Sequence, residues 1–113
     1  RNTGAPSEHW YALAGNGSTD IWVGGDGGPI ARWNGTRWTA SSPAAPDDVF
    51  GLWSLGAGDA WYVGKSGITG RWNGTRWSAV SSGTAQDLNR VWGASSNEVW
   101  AVGKAGTLLR WRE

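Results

Sequence analysis

The chain repeats itself every 39 residues. Trp22, Trp61 and Trp100 stand at that spacing, as do Trp33, Trp72 and Trp111. Trp53 with Trp92 and Trp38 with Trp77 keep the same period, and so do Gly25, Gly64 and Gly103, Gly28, Gly67 and Gly106, and Arg32, Arg71 and Arg110. An acidic residue precedes each central Trp by two positions, at Asp20, Asp59 and Glu98. The heptapeptide RWNGTRW occurs unchanged at 32–38 and at 71–77. Such a unit needs a neighbour on either side to keep its apolar flanks dry, so the repeat dictates a stacked architecture.

A period near 40 residues suits either a helical hairpin array or a four-stranded blade, and local pattern decides between them. The second repeat breaks into four short runs, Val49–Leu55, Ala60–Gly64, Ile68–Trp72 and Thr75–Val80, bounded by Gly, Asn, Asp or Ser. The third gives Leu88–Ala94, Glu98–Gly103 and Thr107–Trp111. No segment holds an apolar face at i, i+3, i+4 for the length of a helix. The expectation is an all-β fold of four-stranded antiparallel β-propeller blades. One segment spans 1–113, with repeats at about 8–46, 47–85 and 86–113, the last lacking its fourth strand.

Asn34-Gly35 and Asn73-Gly74 predict a two-residue type I′ turn, because Asn-Gly tolerates the positive φ that both central positions require. That register sets Arg32 opposite Arg37 and Arg71 opposite Arg76, with Trp33 and Trp38 diagonal on one face. Like charges directly opposite repel, so each arginine pair calls for a carboxylate, a Trp face or a ligand. Asp20, Asp59 and Glu98 are expected to accept backbone N–H groups of the preceding turn.

Composition narrows the function classes. Ten basic residues balance nine acidic ones without a basic stripe, which argues against nucleic acid. No apolar run approaches the roughly 20 residues of a membrane span. No cysteine is present, so disulfides, thiolate zinc sites and cysteine nucleophiles are excluded. The 11 Trp and 19 Gly suit short strands joined by tight turns. The chain starts at Arg1, which fits a processed or excised fragment.

The stretches DIWVGGDGGPIARW, DAWYVGKSGITGRW and EVWAVGKAGTLLRW resemble a bacterial Trp-rich β-propeller repeat. The pattern is similar to the tandem repeats of secreted or surface propeller proteins, and less so to sensor-type regulator and sialidase-like repeats. The resemblance implies an extracellular or cell-surface bacterial setting. The sialidase pattern Ser-x-Asp-x-Gly-x-x-Trp occurs in no repeat, so no sialidase catalytic residue is carried over.

Three blades do not close a ring of the usual four to eight. Each open face would leave Trp surface of about 150–250 Å² per ring unburied, an association hazard. Either copies assemble, two making six blades or three making nine, or the chain belongs to a longer propeller. Arg1–Ser7 aligns with the tail after a fourth strand and carries no Trp, which makes it a weak substitute for the absent one.

Candidate chemistry is sparse. His9 is the sole histidine and stands where the other repeats have Asp48 and Asp87; a strand-end role is expected. Asp47-Asp48 is the one dense acidic spot, expected to cap a turn, and no metal site, cofactor or catalytic residue is predicted. Lys65 and Lys104 are expected to be solvated hairpin-tip residues. The sequons at Asn16, Asn34 and Asn73 are explained by turn chemistry, without modification. Ala14 replaces the Trp of positions 53 and 92, Trp10 falls at the place of Val49 and Leu88, and Gly24 at that of Val63 and Val102. These changes predict compensation at one inter-blade contact. The first reading is a non-catalytic binding or scaffold segment with a homo-oligomeric or longer-propeller partner. A lectin using Trp38, Trp77, Arg37 and Arg76 is the alternative, since Trp stacks on sugar C–H faces and Arg donates to hydroxyls. A hydrolase or lyase in the central channel comes third.

Overall fold

A computed structural model describes residues 9–40, 45–56, 58–95 and 97–112. Each repeat forms its own antiparallel meander. The first sheet runs β1 (Trp10–Gly17), β2 (Asp20–Gly25), β3 (Ile30–Trp33) and β4 (Trp38–Ala40). The second runs β5 (Val49–Gly56), β6 (Asp59–Gly64), β7 (Thr69–Trp72) and β8 (Trp77–Ala79). The third has β9 (Leu88–Ser95), β10 (Glu98–Gly103) and β11 (Leu108–Arg112). Strand order within every sheet follows chain order. The expected Arg1–Ser7 segment lies outside the described residues.

The sheets stack through their first strands, with β1 against β5 and β5 against β9. This convergence of inner strands is the radial arrangement of propeller blades. Alternation along each strand gives every blade one face toward the preceding repeat and one toward the next. Blade 1 presents Ala12, Trp22 and Ile30 to blade 2, which answers with Val49, Leu52, Tyr62, Trp72 and Trp77. Blade 2 presents Trp61 and Val63 to blade 3, which answers with Leu88, Val91, Val99 and Ala101. Trp22 at 0% exposure and Trp61 at 3% are therefore the same residue in two successive contacts.

Gly64 and Gly103 recur because the backbone carbonyls of Asp48 and Asp87 lie where a Cβ would stand. The differences of repeat one divide between its two faces. Gly24 faces blade 2, where an added Cβ would press on Val49 and Leu52, and Ala14 packs into the same contact. Trp10 pairs with Gly25, which recurs as Gly64 and Gly103 and meets the His9 carbonyl as they meet those of Asp48 and Asp87.

The third hairpin differs from the expected turn by one residue. Trp33 pairs directly with Trp38, and Trp72 with Trp77, while Arg32 lies opposite Thr39 and Arg71 opposite Ser78. Asn34 N–H donates to the Arg37 carbonyl at 3.2 Å, and Arg37 N–H donates to Asn34 Oδ1 at 2.9 Å. The central pair is thus Gly35-Thr36, with φ +96° at Gly35. The Asn side chain closes the loop by also accepting the Thr36 N–H. Asn73 does the same for Thr75 and Arg76, with φ +101° at Gly74. Glycine at the first central position is the type II′ preference. Gly74→Val is expected to lower stability by about 1–2 kcal/mol, since a β-branched residue is strained at that φ. Thermal denaturation checks it; an unchanged midpoint would rule out this turn.

Candidate functional site

The repeated acidic residue, Trp and Arg form one unit in each blade. Arg32 Nε donates to Asp20 Oδ1 at 2.9 Å, and Arg71 Nε to Asp59 Oδ1 at 2.9 Å. Arg71 adds a second bond to Asp59 Oδ2 at 3.1 Å, a bidentate pair. In blade 3, Glu98 Oε2 accepts Arg110 at 3.1 Å and the Trp100 indole N–H at 3.1 Å. Each guanidinium lies over the ring of its own blade's central Trp, at 4.8 Å for Trp22, 5.2 Å for Trp61 and 5.0 Å for Trp100. Register brings these carboxylates, expected to accept turn N–H groups, to the arginines. Because β2 and β3 pair Trp22 with Arg32, and Asp20 shares their face two residues back, the trio is dictated by strand alternation. Carboxylate and Trp face thus meet the arginine's need for a partner.

A second repeated device joins blade to blade. The hairpin tip of blade 1 gives its Gly27 N–H to Asp48 Oδ1 at 2.7 Å, and that of blade 2 gives its Ser66 N–H to Asp87 Oδ1 at 2.9 Å. Asp48 therefore caps a turn of the preceding blade, while Asp47 accepts the Asp48 N–H. Ser66 is held at φ +61°, a left-handed conformation that this bond supports. Lys104 pairs with Asp87 at 3.2 Å, so it is not merely solvated; Lys65 is exposed. His9 precedes β1, its carbonyl accepting the Asp26 N–H at 2.9 Å and its side chain exposed.

Asp87 titrates below the usual carboxylate range, chiefly because the Ser66 N–H and then Lys104 favour its charged form. A depressed native pKa adds stability above the unfolded value and loses it as pH falls through the native one. Asp87→Asn is expected to flatten the acid limb of the stability curve below about pH 4. Urea midpoints measured against pH check this, and an identical acid limb would contradict it. Burial pushes the Tyr62 phenol up.

The proposed sugar-binding residues do not converge. Trp77 is 2% exposed, its ring taken by Trp22 at 5.3 Å and Tyr62 at 5.1 Å. Trp38 is half-buried against Trp33 at 5.6 Å. Arg37 and Arg76 are exposed loop residues. Trp77 therefore offers no free platform for a sugar ring, and the lectin arrangement is not assembled there.

Among the described residues, concave features and exposed apolar side chains at both ends of the stack stand out. A groove beside the inner strands is lined by Tyr11, Leu13, Phe50, Arg90 and Val91, with Tyr11 and Phe50 in ring contact at 5.5 Å. The two aromatics stand 39 residues apart, at one repeat position where the third repeat has Asn89, and the stronger Trp pattern masks them. A cleft of about 220 Å³ lies between blades 2 and 3, lined by Trp61, Arg71, Val80, Val99, Trp111 and Arg112. Blade 3 exposes Trp92 (53%), Val102 (43%) and Leu108 (61%) on the face that blades 1 and 2 bury. Blade 1 exposes Leu13 (71%), whose counterparts Leu52 and Val91 are buried against the preceding blade. Among the described residues, no helix is long and apolar enough to cross a membrane, and no three His, Asp or Glu side chains cluster as metal ligands.

No protein-family model and no curated protein matches the chain. Solved structures do match. YCF48 bound to D1 peptide superposes with a TM-score of 0.77 at 12% identity, over 95% of this chain and 38% of that one. YCF48 from Cyanidioschyzon merolae gives 0.75 at 17% identity, over 96% and 39%. The computationally designed Ika4 protein gives 0.55 at 11% identity, over 98% and 95%. The chain thus spans less than two-fifths of the YCF48 chains and shares the β-propeller fold with them.

Proposed function

We propose that the chain is a non-catalytic β-propeller segment that binds other protein blades face to face, and that a second copy of itself is the partner. The observation that carries this is the pair of open faces. The Trp92–Val102–Leu108 face of blade 3 repeats the positions by which blades 1 and 2 grip their successors. Leu13 of blade 1 repeats the position of Leu52 and Val91, by which blades 2 and 3 receive them, while Val23 and Ala31 on the same face are buried. A head-to-tail contact joins one face to the other, and a rotation that closes produces a ring. The YCF48 structure bound to a D1 peptide supports reading such blades as protein-contact surfaces. The same reading sets the module in a bacterial extracellular or surface context.

Sedimentation velocity tests the proposal. Wild-type chain is expected to sediment as two or three copies. Leu13→Glu should yield folded monomer, because an exposed position tolerates charge in the monomer while a buried interface does not. A wild-type chain that stays monomeric at high concentration would overturn the reading.

A further inference from the structure

We infer that the Asn34-Gly35 and Asn73-Gly74 turns are self-modifying sites, at which the asparagine side chain loses ammonia to its own backbone. In each loop the asparagine oxygen sits between a pair of backbone donors. Asn34 Oδ1 accepts the N–H groups of Thr36 and Arg37, both at 2.9 Å. Asn73 Oδ1 accepts those of Thr75 at 2.9 Å and Arg76 at 3.0 Å. Two fixed N–H groups at that range hold the negative charge that grows on a carbonyl oxygen under attack. The attacking atom is the next one along the chain. Among the described residues, the Gly35 and Gly74 N–H groups donate to no acceptor, so each can give its proton to solvent. Residues 34–37 and 73–76 are all exposed, and a Cβ placed on Gly74 would meet nothing nearer than Gly58 Cα at 3.6 Å. Water and hydroxide therefore reach both loops.

The step balances with water as the sole co-reactant. Gly74 N loses its proton and attacks Asn73 Cγ, forming a C–N bond. The displaced electron pair moves onto Oδ1, where the Thr75 and Arg76 N–H groups receive it. Collapse of that oxyanion breaks the Cγ–Nδ2 bond, and Nδ2 leaves as ammonia after taking a proton from solvent. Water then opens the cyclic imide at either carbonyl, giving aspartate or its isomer with an extended main chain. The aspartate product suits the loop, because a carboxylate oxygen accepts the same two N–H groups with charge assistance. Each conversion removes one unit from a formal net charge of +1 and ends the Asn-Gly-Thr sequon as a glycosylation acceptor. Turn geometry sets these two sites apart from the dipeptide alone. Asn16-Gly17 has the same residues but closes β1, where Gly17 is paired with Asp20.

The test is peptide mapping by mass spectrometry of the full chain, incubated in mildly alkaline buffer either folded or unfolded in urea. Asn34 and Asn73 are expected to convert about fivefold faster in the folded chain, a fraction of what such donors achieve where water is excluded. Asn16 should show the opposite order and react more slowly when folded. Slower conversion of Asn34 and Asn73 on folding would overturn the inference. So would conversion no faster than that of Asn16 in the folded chain. The Asn73→Asp variant supplies a second readout and is expected to melt with the wild type. A clearly lower midpoint would also overturn the inference, because the two N–H groups would then not be holding a charged oxygen.

Discussion

Trp22→Ala is expected to remove about 3–5 kcal/mol of stability, the range for truncating a buried Trp. That is a large fraction of the roughly 5–15 kcal/mol a domain holds, so the variant should melt well below the wild type. Three features set the size of the effect. The ring is fully buried, it is flanked edge-on by Trp72 and Trp77 at interplanar angles of 68° and 73°, and it carries the Arg32 guanidinium on its face. Its loss would also leave the Asp20–Arg32 pair over a void. The indole N–H has no partner in the described structure, so Trp22→Phe should retain more stability than Trp22→Ala. Urea denaturation measures both.

Gly70→Leu is expected to destabilise by about 3 kcal/mol, and adding Tyr62→Ala should then cost less than Tyr62→Ala costs alone. The reason lies in a cross-strand pair that changes size from blade to blade. Val23 pairs with Ala31, Tyr62 with Gly70, and Ala101 with Leu109. A Cβ at Gly70 would overlap the Tyr62 ring, so the pair in blade 2 reads large against none where blade 3 reads small against large. The double variant copies blade 3 into blade 2. A coupling of about 1–2 kcal/mol in favour of the double variant is expected from a double-mutant cycle. Strict additivity would show that the two side chains do not compete for one space.

The repeat made the architecture legible because packing positions recur and turn residues punctuate them. Runs predicted at Val49–Leu55 and Glu98–Gly103 correspond to β5 and β10 within a residue. Hairpin register was less legible. Asn-Gly fits a type I′ turn, and only the Asn34 side chain, bonding to Thr36 and Arg37 across the loop, shifts the centre to Gly35-Thr36. That one-residue shift takes Arg32 away from Arg37 and leaves it on the same cross-strand line as Trp22. The carboxylate partners were out of reach for the same reason, since finding them requires the β2–β3 pairing and not the period alone. Exposure of Trp77 could not be read from its neighbours. Arg76 and Ser78 beside it are exposed, and burial follows from a contact with another repeat. The aromatic groove at Tyr11 and Phe50 occupies one repeat position, with Asn89 in the third repeat, and was legible in the period but hidden behind the stronger Trp pattern.

Everything above depends on one repeat's central indole being clasped by the outer strands of the next. Nuclear Overhauser contacts of the Trp22 ring protons test this most directly. Cross-peaks from Trp22 to both Trp72 and Trp77 are predicted, matched by cross-peaks from Trp61 to Trp111. A Trp22 ring whose contacts stay inside its own repeat, with none to residues 72 or 77, would contradict the account.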